Sequence, residues 1–163
     1  MAISLASDTI WQQMAEYIWA QVGVSLGLKS SEQGNYLHLP TGDALASILP
    51  LVLVEETQAP GRVLPGFDGV ELVHRVRIHC IRMISDTEIR DRVTRTDRDA
   101  IAALYCQKPF EGPTSLPGVT MPTRANVWAK NVVGLHLLDT FTEMELNIGH
   151  GAIDLDVTVH YYH

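Results

Sequence analysis

Seven histidines and several facing acidic residues are the groups in this chain whose chemistry can go beyond packing. Neutral imidazole is the commonest metal ligand and also exchanges protons near neutral pH. His74 and His79 are five positions apart on an alternating stretch, so they take opposite faces and cannot share one ion. His160 and His163 differ in facing for the same reason. His136 can approach His160 or Asp156 across a terminal hairpin, and a carboxylate–histidine cluster of that kind binds zinc or moves protons. The competing reading is an ordinary polar sheet face, because no second ligand follows at a fixed spacing. Asp154 and Asp156 share one face of the last predicted strand, with Glu143 and Glu145 as candidates opposite them. Like charges directly across strands repel, so the register must offset them or bring cations alongside. The acidic set reads as an interface for a basic partner, as a wall to which DNA does not adhere, or as simple solvation.

No P-loop, dinucleotide glycine fingerprint, nucleophile elbow or paired CxxC occurs. The expectation is therefore a protein without catalytic residues, bound metal or cofactor. A small metal- or ligand-binding enzyme using His136, Asp156 and His160 is the alternative.

The element that must position these groups is a strand over 70–84 running into a helix over 86–105. In the strand Val76, Ile78 and Cys80 alternate with Arg75, Arg77 and His79, the period of a half-buried strand. In the helix Ile89, Val93, Ala100, Ile101 and Leu104 form one apolar face, and Ser85 with Glu88 makes a capping box at the join. The arginines between Arg75 and Arg98 are interleaved with acids, and Asp86–Arg90, Glu88–Arg92 and Asp91–Arg95 have the spacing of a solvated helix face.

Upstream, Ser7, Asp8 and Thr9 can cap a helix over 8–22 whose stripe is Ile10, Met14, Tyr17, Ile18 and Val22, widened by Trp11 and Trp19. Gly23 ends it. Residues 29–34 read as a polar turn, 37–39 as a short extended piece, and 44–48 as a small helix. A strand over 51–58 follows, apolar throughout from Leu51 to Val54 as suits burial on both faces. The Pro/Gly-rich stretches 59–69 and 107–130 read as loops, and the length of the second points to a partner. Strands over 132–148 and 152–162 close the chain, with a bend near Asp139 and Thr140 and a turn at 147–152 carrying Gly149 and Gly151. Together these make an α+β fold: a single domain, 1–163, with a mainly antiparallel sheet of about four strands flanked by two principal helices.

Composition narrows the function classes. A net charge of −7 argues against a dedicated nucleic-acid binder, which needs a basic surface. No apolar run approaches the roughly 20 residues that span a bilayer, and no secretory signal is expected. Cys80 and Cys106 lack a metal-ligand spacing and read as reduced packing residues of an intracellular protein.

The order of elements carries a resemblance. A capped helix leads to an apolar strand introduced by proline (Pro50, Leu51, Val52, Leu53, Val54, Glu55), then a Gly/Pro loop and a long alternating strand flowing into a helix. Two final strands end in an aromatic-rich terminus (Val157, Thr158, Val159, His160, Tyr161, Tyr162). This pattern resembles the tail terminator proteins of long-tailed bacteriophages, also called minor tail protein U-like or tail completion proteins. The stretch 107–130 is longer than the family's connection, and 29–48 stands as an insertion. The resemblance implies a homo-oligomer, typically a hexameric ring, that docks on the last ring of tail tube protein and stops its polymerisation. The ring's other face meets the head-completion or connector protein, and DNA passes through without specific binding. It places the protein in the virion tail or neck, assembled in the host cytoplasm, with another neck or head-closure role as the nearest alternative. The residues expected at subunit and partner contacts are Trp11, Trp19, Arg62, Phe67, Arg75, Arg77, Phe110, Trp128, Asp154 and Asp156.

Overall fold

The alternation read over 70–84 is realised as β3 (Gly69–Met83), the strand on which the sheet is built. It pairs antiparallel with β2 (Leu51–Pro65) on one side and with β6 (Leu146–Tyr162) on the other. A computed structural model describes residues 2–65, 69–84, 90–105, 125–138, 142–143 and 146–162, with side chains within 10–57, 73–84, 95–105 and 148–157. In chain order the elements are α1 (Ala2–Val22), β1 (Ser30–Gln33), a 3₁₀ turn (Tyr36–His38), α2 (Gly42–Ile48), β2, β3, α3 (Arg90–Tyr105), β4 (Ala125–Leu138), β5 (Thr142–Glu143) and β6. The sheet runs β1-β2-β3-β6-β4, with β5 folded back on β6. Only β1 lies parallel to its neighbour, so this is an α+β fold on a mixed, mostly antiparallel sheet.

Each face of the sheet has its own core. Even-numbered positions of β2 and β3 and odd-numbered positions of β6 face α1 and α3. Val52, Val54, Val76, Ile78, Cys80, Ile153, Leu155 and Val157 meet Ile10, Trp11, Met14, Ile18, Ile101 and Tyr105 there. The opposite face carries a smaller cluster of Leu51, Leu53, Ile81 and Ile148 under Leu45 and Leu49. Two-sided burial explains the unbroken apolar run from Leu51 to Val54. Gly23 closes α1 through its amide to the Trp19 carbonyl (2.9 Å). Gly27, with φ of 63°, lets the chain turn back toward β1.

Several expected boundaries are corrected. The first helix starts at Ala2, so Ser7, Asp8 and Thr9 lie inside it rather than capping it; nothing in the Ala- and Leu-containing segment before them breaks a helix. Residues 30–33 are not a turn but an edge strand parallel to Leu51–Val54, and 36–38 form a 3₁₀ turn rather than an extended piece. The expected 59–69 loop belongs largely to β2 and β3. Pro60 and Gly61 fall where the register shifts between Gln58 and Arg62, and a bulge tolerates a residue without an N–H. Residues 125–130 belong to β4, where Val127 and Ala129 pair with Val159 and Val157. The expected strand over 132–148 is divided: β4 ends at Leu138, and Glu143 of β5 pairs antiparallel with Leu146 of β6. Gly149 and Gly151 therefore form no turn; they are buried within β6, opposite Arg82 and Cys80.

Ser85, Glu88, Phe67, Cys106, Phe110, His163, Asp139 and Thr140 lie outside the described residues, as does most of 107–130. The expected ion pairs along 86–95 rest on side chains that are also outside them. One acid of that helix is not solvated. Asp97 is buried and accepts from Arg82 Nε of β3 at 2.6 Å, while the same guanidinium also donates to the Leu26 carbonyl.

Candidate functional site

The sheet face away from the long helices carries the polar groups with chemical potential. Strand pairing fixes which residues share it. Arg75, Arg77, His79 and Ile81 of β3 stand opposite Asp156, Asp154, Ala152 and His150 of β6. Beyond the small apolar cluster, the face passes from two buried imidazoles to two ion pairs.

His79 and His150 are 3 % exposed each, and His79 Nδ1 lies 2.8 Å from His150 Nε2. His79 Nε2 lies 3.2 Å from Glu55 Oε1, and Glu55 Oε2 accepts the Tyr36 backbone N–H at 2.6 Å. A carboxylate only accepts, so His79 donates from Nε2 and, when neutral, accepts at Nδ1 from His150 Nε2–H. Proton positions along Glu55, His79 and His150 are thereby ordered. The Tyr36 ring stacks on both imidazoles with centroids 5.0 Å away from each. Asn35 holds that ring's turn in place, its side chain accepting from Leu37 N–H.

Burial lowers the His79 pKa, against the opposing hydrogen bond and charge of Glu55. Burial, then the neighbouring His79 and Arg77, pushes His150 down to about 3. Both imidazoles are therefore neutral at pH 7. A cavity of about 370 Å³ opens over them, lined by Tyr36, Leu37, Glu55, Arg77, His79 and His150 among others.

Next along the face, Arg77 donates from Nε and Nη2 to the two carboxylate oxygens of Asp154 at 2.8 and 3.0 Å. The Asp154 hydrogen bond holds the Arg77 pKa above its ordinary value. Arg75 Nε donates to Asp156 at 2.7 Å in a more exposed position. The cations that Asp154 and Asp156 require thus come from β3. Glu143 is not their neighbour: it pairs with Leu146, and β4 offers Gly134 and Asn131 opposite Asp154 and Asp156; Glu145 lies outside the described residues.

On the helix side, Trp11 Nε1 donates to Glu56 Oε2 at 3.0 Å, and His74 Nδ1 lies 2.7 Å from Glu56 Oε1. Burial raises the Glu56 pKa, but the hydrogen bonds from His74 and Trp11 outweigh it and leave it below the usual carboxylate range. Trp11 is 1 % exposed and sits edge-on to His74, so it is part of the chain's own core and no contact residue.

Of the other expected contact residues, Trp19 is 45 % exposed and available to a partner. Arg62 stands opposite Val73 in β2, and Trp128 opposite Thr158 in β4. Phe67 and Phe110 are among the residues not described. His136, Asp156 and His160 do not come together. His136 stands opposite Ala152, and His160 opposite Asn126, so the two histidines are eight β6 positions apart, roughly 26 Å at 3.3 Å per residue. His74 and His79 do occupy opposite faces as the spacing requires.

The residues that sequence reading passes over are Tyr36, Glu55 and His150. His150 follows the same alternation as Ala152, Asp154 and Asp156, and that period was the available signal; the flanking glycines masked it. Nothing local marks Tyr36, which reaches the site from a turn far away in sequence. The chain matches no family model and no curated protein.

Proposed function

We propose that this chain is a ring-forming structural subunit of a long-tailed bacteriophage, a tail terminator that caps the tail tube and joins it to the head connector. The observation that carries this reading is a sheet too long for its own helices. β2, β3, β4 and β6 have 15, 15, 14 and 17 residues. At 3.3 Å per residue they extend roughly 46–56 Å. α1, with 21 residues, extends roughly 32 Å at 1.5 Å per residue. α3, with 16 residues, extends roughly 24 Å; each described helix is thus shorter than the strands, and a neighbouring copy of the same chain is the economical cover for what they leave open in a closed ring.

Charge supports the conduit role. The net charge is −7, and Arg75 and Arg77, which alone would attract phosphate, are each neutralised by an aspartate. DNA sliding past such a surface finds little to hold it. Among the described residues, no helix is long and apolar enough to cross a membrane.

The test is the native mass of the purified full chain, by mass spectrometry and negative-stain microscopy, followed by addition to polymerising tail tube protein. Closed rings of about six subunits that halt tube growth are the expected result. A chain that stays monomeric at high concentration and leaves tube growth unchanged overturns the reading.

A further inference from the structure

The hydrogen-bond chain on the open sheet face has a direction, and it ends on an acceptor. Glu55 Oε1 takes the His79 Nε2–H at 3.2 Å, and His79 Nδ1 takes the His150 Nε2–H at 2.8 Å. Burial keeps both imidazoles neutral at pH 7, so His150 Nδ1 carries a bare lone pair. Among the described residues nothing donates to that nitrogen; His150 bonds through Nε2 alone. The side-chain polar atoms that are both buried and unpartnered are His74 Nε2 and Tyr105 OH. His150 Nδ1 is not one of them, so solvent reaches it although the residue is 3 % exposed. The route is the cavity of about 370 Å³ that His150 lines.

The rest of the lining selects the charge of what fits. Glu55, Glu56 and Arg77 are its ionic members, and Arg77 is already matched by both oxygens of Asp154. The wall therefore keeps an excess of negative charge. Glu55 accepts from His79 and from the Tyr36 amide, and a carboxylate has roughly four lone-pair positions, so it can accept more. The chain from Glu55 through His79 polarises His150 and strengthens Nδ1 as an acceptor. Ligand pockets run from roughly 300 Å³ upward, so this one suits a group of side-chain size.

We propose that the cavity binds an organic cation rich in N–H donors, a guanidinium or primary ammonium group, which donates to His150 Nδ1 and is held by the charge of Glu55 and Glu56. Two sources carry such a group: a free small amine, or an arginine or lysine side chain on an extended segment of a partner. The strand edge gives the second source a seat. β1 covers β2 only from Leu51 to Val54, with the Gly34 amide donating to the Val54 carbonyl at 3.1 Å. Among the described residues no strand pairs with the outer edge of β2 from Glu55 onward, beside the cavity. An incoming strand can hydrogen-bond there and set one side chain into the cavity. The site goes beyond the ring reading and does not depend on it; a monomer that binds the cation overturns the ring and leaves the site standing.

The experiment titrates the ¹⁵N-labelled full chain at pH 7.5 with N-acetyl-argininamide, n-butylamine and N-acetyl-citrullinamide, the last replacing the guanidinium by a neutral urea of the same shape. Calorimetry and the ring nitrogen signals of His79 and His150 read binding. At least one of the two cations should shift the His150 Nδ1 signal and saturate at one equivalent per chain, with citrullinamide bound about tenfold more weakly or worse. Glu55→Gln and His150→Phe should each weaken cation binding roughly tenfold. Glu16→Gln, at an exposed acid of α1, should bind as the parent does. Far-UV circular dichroism checks the fold of each variant, and if His150→Phe does not fold, the His150 Nδ1 shift in the parent decides the matter. An alternating peptide with a central arginine separates the sources. Binding tenfold or more above argininamide, lost with citrulline in its place, assigns the site to a partner's side chain; a smaller gain assigns it to a free cation. Equal binding of argininamide and citrullinamide, an unmoved His150 signal, unchanged affinity in Glu55→Gln, or an equal loss in Glu16→Gln each overturns the proposal.

Discussion

Replacing Trp11 by Phe tests whether the helix-side core is tied to the sheet through Glu56. The indole N–H donates to Glu56 Oε2 at 3.0 Å, and the other carboxylate oxygen meets His74, whose side chain is 1 % exposed. Phenylalanine keeps an aromatic ring against His74 but removes that donor. A hydrogen bond to a charged group contributes about 1.5–3 kcal/mol, and the smaller ring forfeits roughly 40 Å² of buried apolar surface, or about 1 kcal/mol at 25 cal/mol per Å². The expected loss is about 2.5–4 kcal/mol, a large share of the roughly 5–15 kcal/mol that holds a domain together. Urea unfolding followed by far-UV circular dichroism, at pH 7.5 and fixed protein concentration, measures it. Glu56→Gln and the double variant complete the cycle, and a coupling energy of about 1 kcal/mol or more is expected because both changes act on one bond. A Trp11→Phe cost below about 0.5 kcal/mol, or full additivity with Glu56→Gln, would refute the reasoning.

Three further outcomes follow from the same geometry. The protein should lose stability on acidification: the His150 imidazole sits at about 3 in the folded chain against an ordinary 6.5, so the unfolded chain takes up the proton first. Its contribution is complete above about pH 6.5 and declines as the pH falls toward 3, by roughly 2 kcal/mol at pH 5; urea titrations of the parent and His150→Gln should diverge over that window. The two arginine–aspartate pairs should be unequal under alanine substitution. Arg77→Ala removes the two-pronged partner of an Asp154 side chain only 11 % exposed and should cost about 3 kcal/mol, whereas Arg75→Ala, at a pair 36 % and 29 % exposed, should cost about 1 kcal/mol or less. Cys80 is buried, with desolvation raising its thiol pKa, so a thiol reagent should modify it only at the rate of unfolding, measurable by mass spectrometry in urea.

What was legible in the sequence is what depends on local period. The alternation of Val76, Ile78 and Cys80 with Arg75, Arg77 and His79 determines β3, and the apolar run Leu51 to Val54 already declares a strand covered on both sides. The meeting of His79 with His150 depends instead on the register in which β3 pairs with β6. Gly149 and Gly151 draw the turn to the wrong place, because glycine signals both turns and strand positions without a side chain. Pro60 and Gly61 mislead in the same way: a bulge absorbs them, and only the partner strand reveals it. Tyr36 enters the site through tertiary contact, so its spacing from His79 carries no information in one dimension.

The register shift in β2 has a mechanical consequence. Between Glu56 and Arg62 the strand advances six residues while β3 advances three, from Val76 to Val73. A pull along the strands from the hairpin's far end loads the regular ladder in shear, with many bonds resisting together. The bulged segment has fewer regular ladder bonds and slack in its path, so it extends before the clamped half near Trp11 and Glu56 is strained. Under such a pull it would yield ahead of the core.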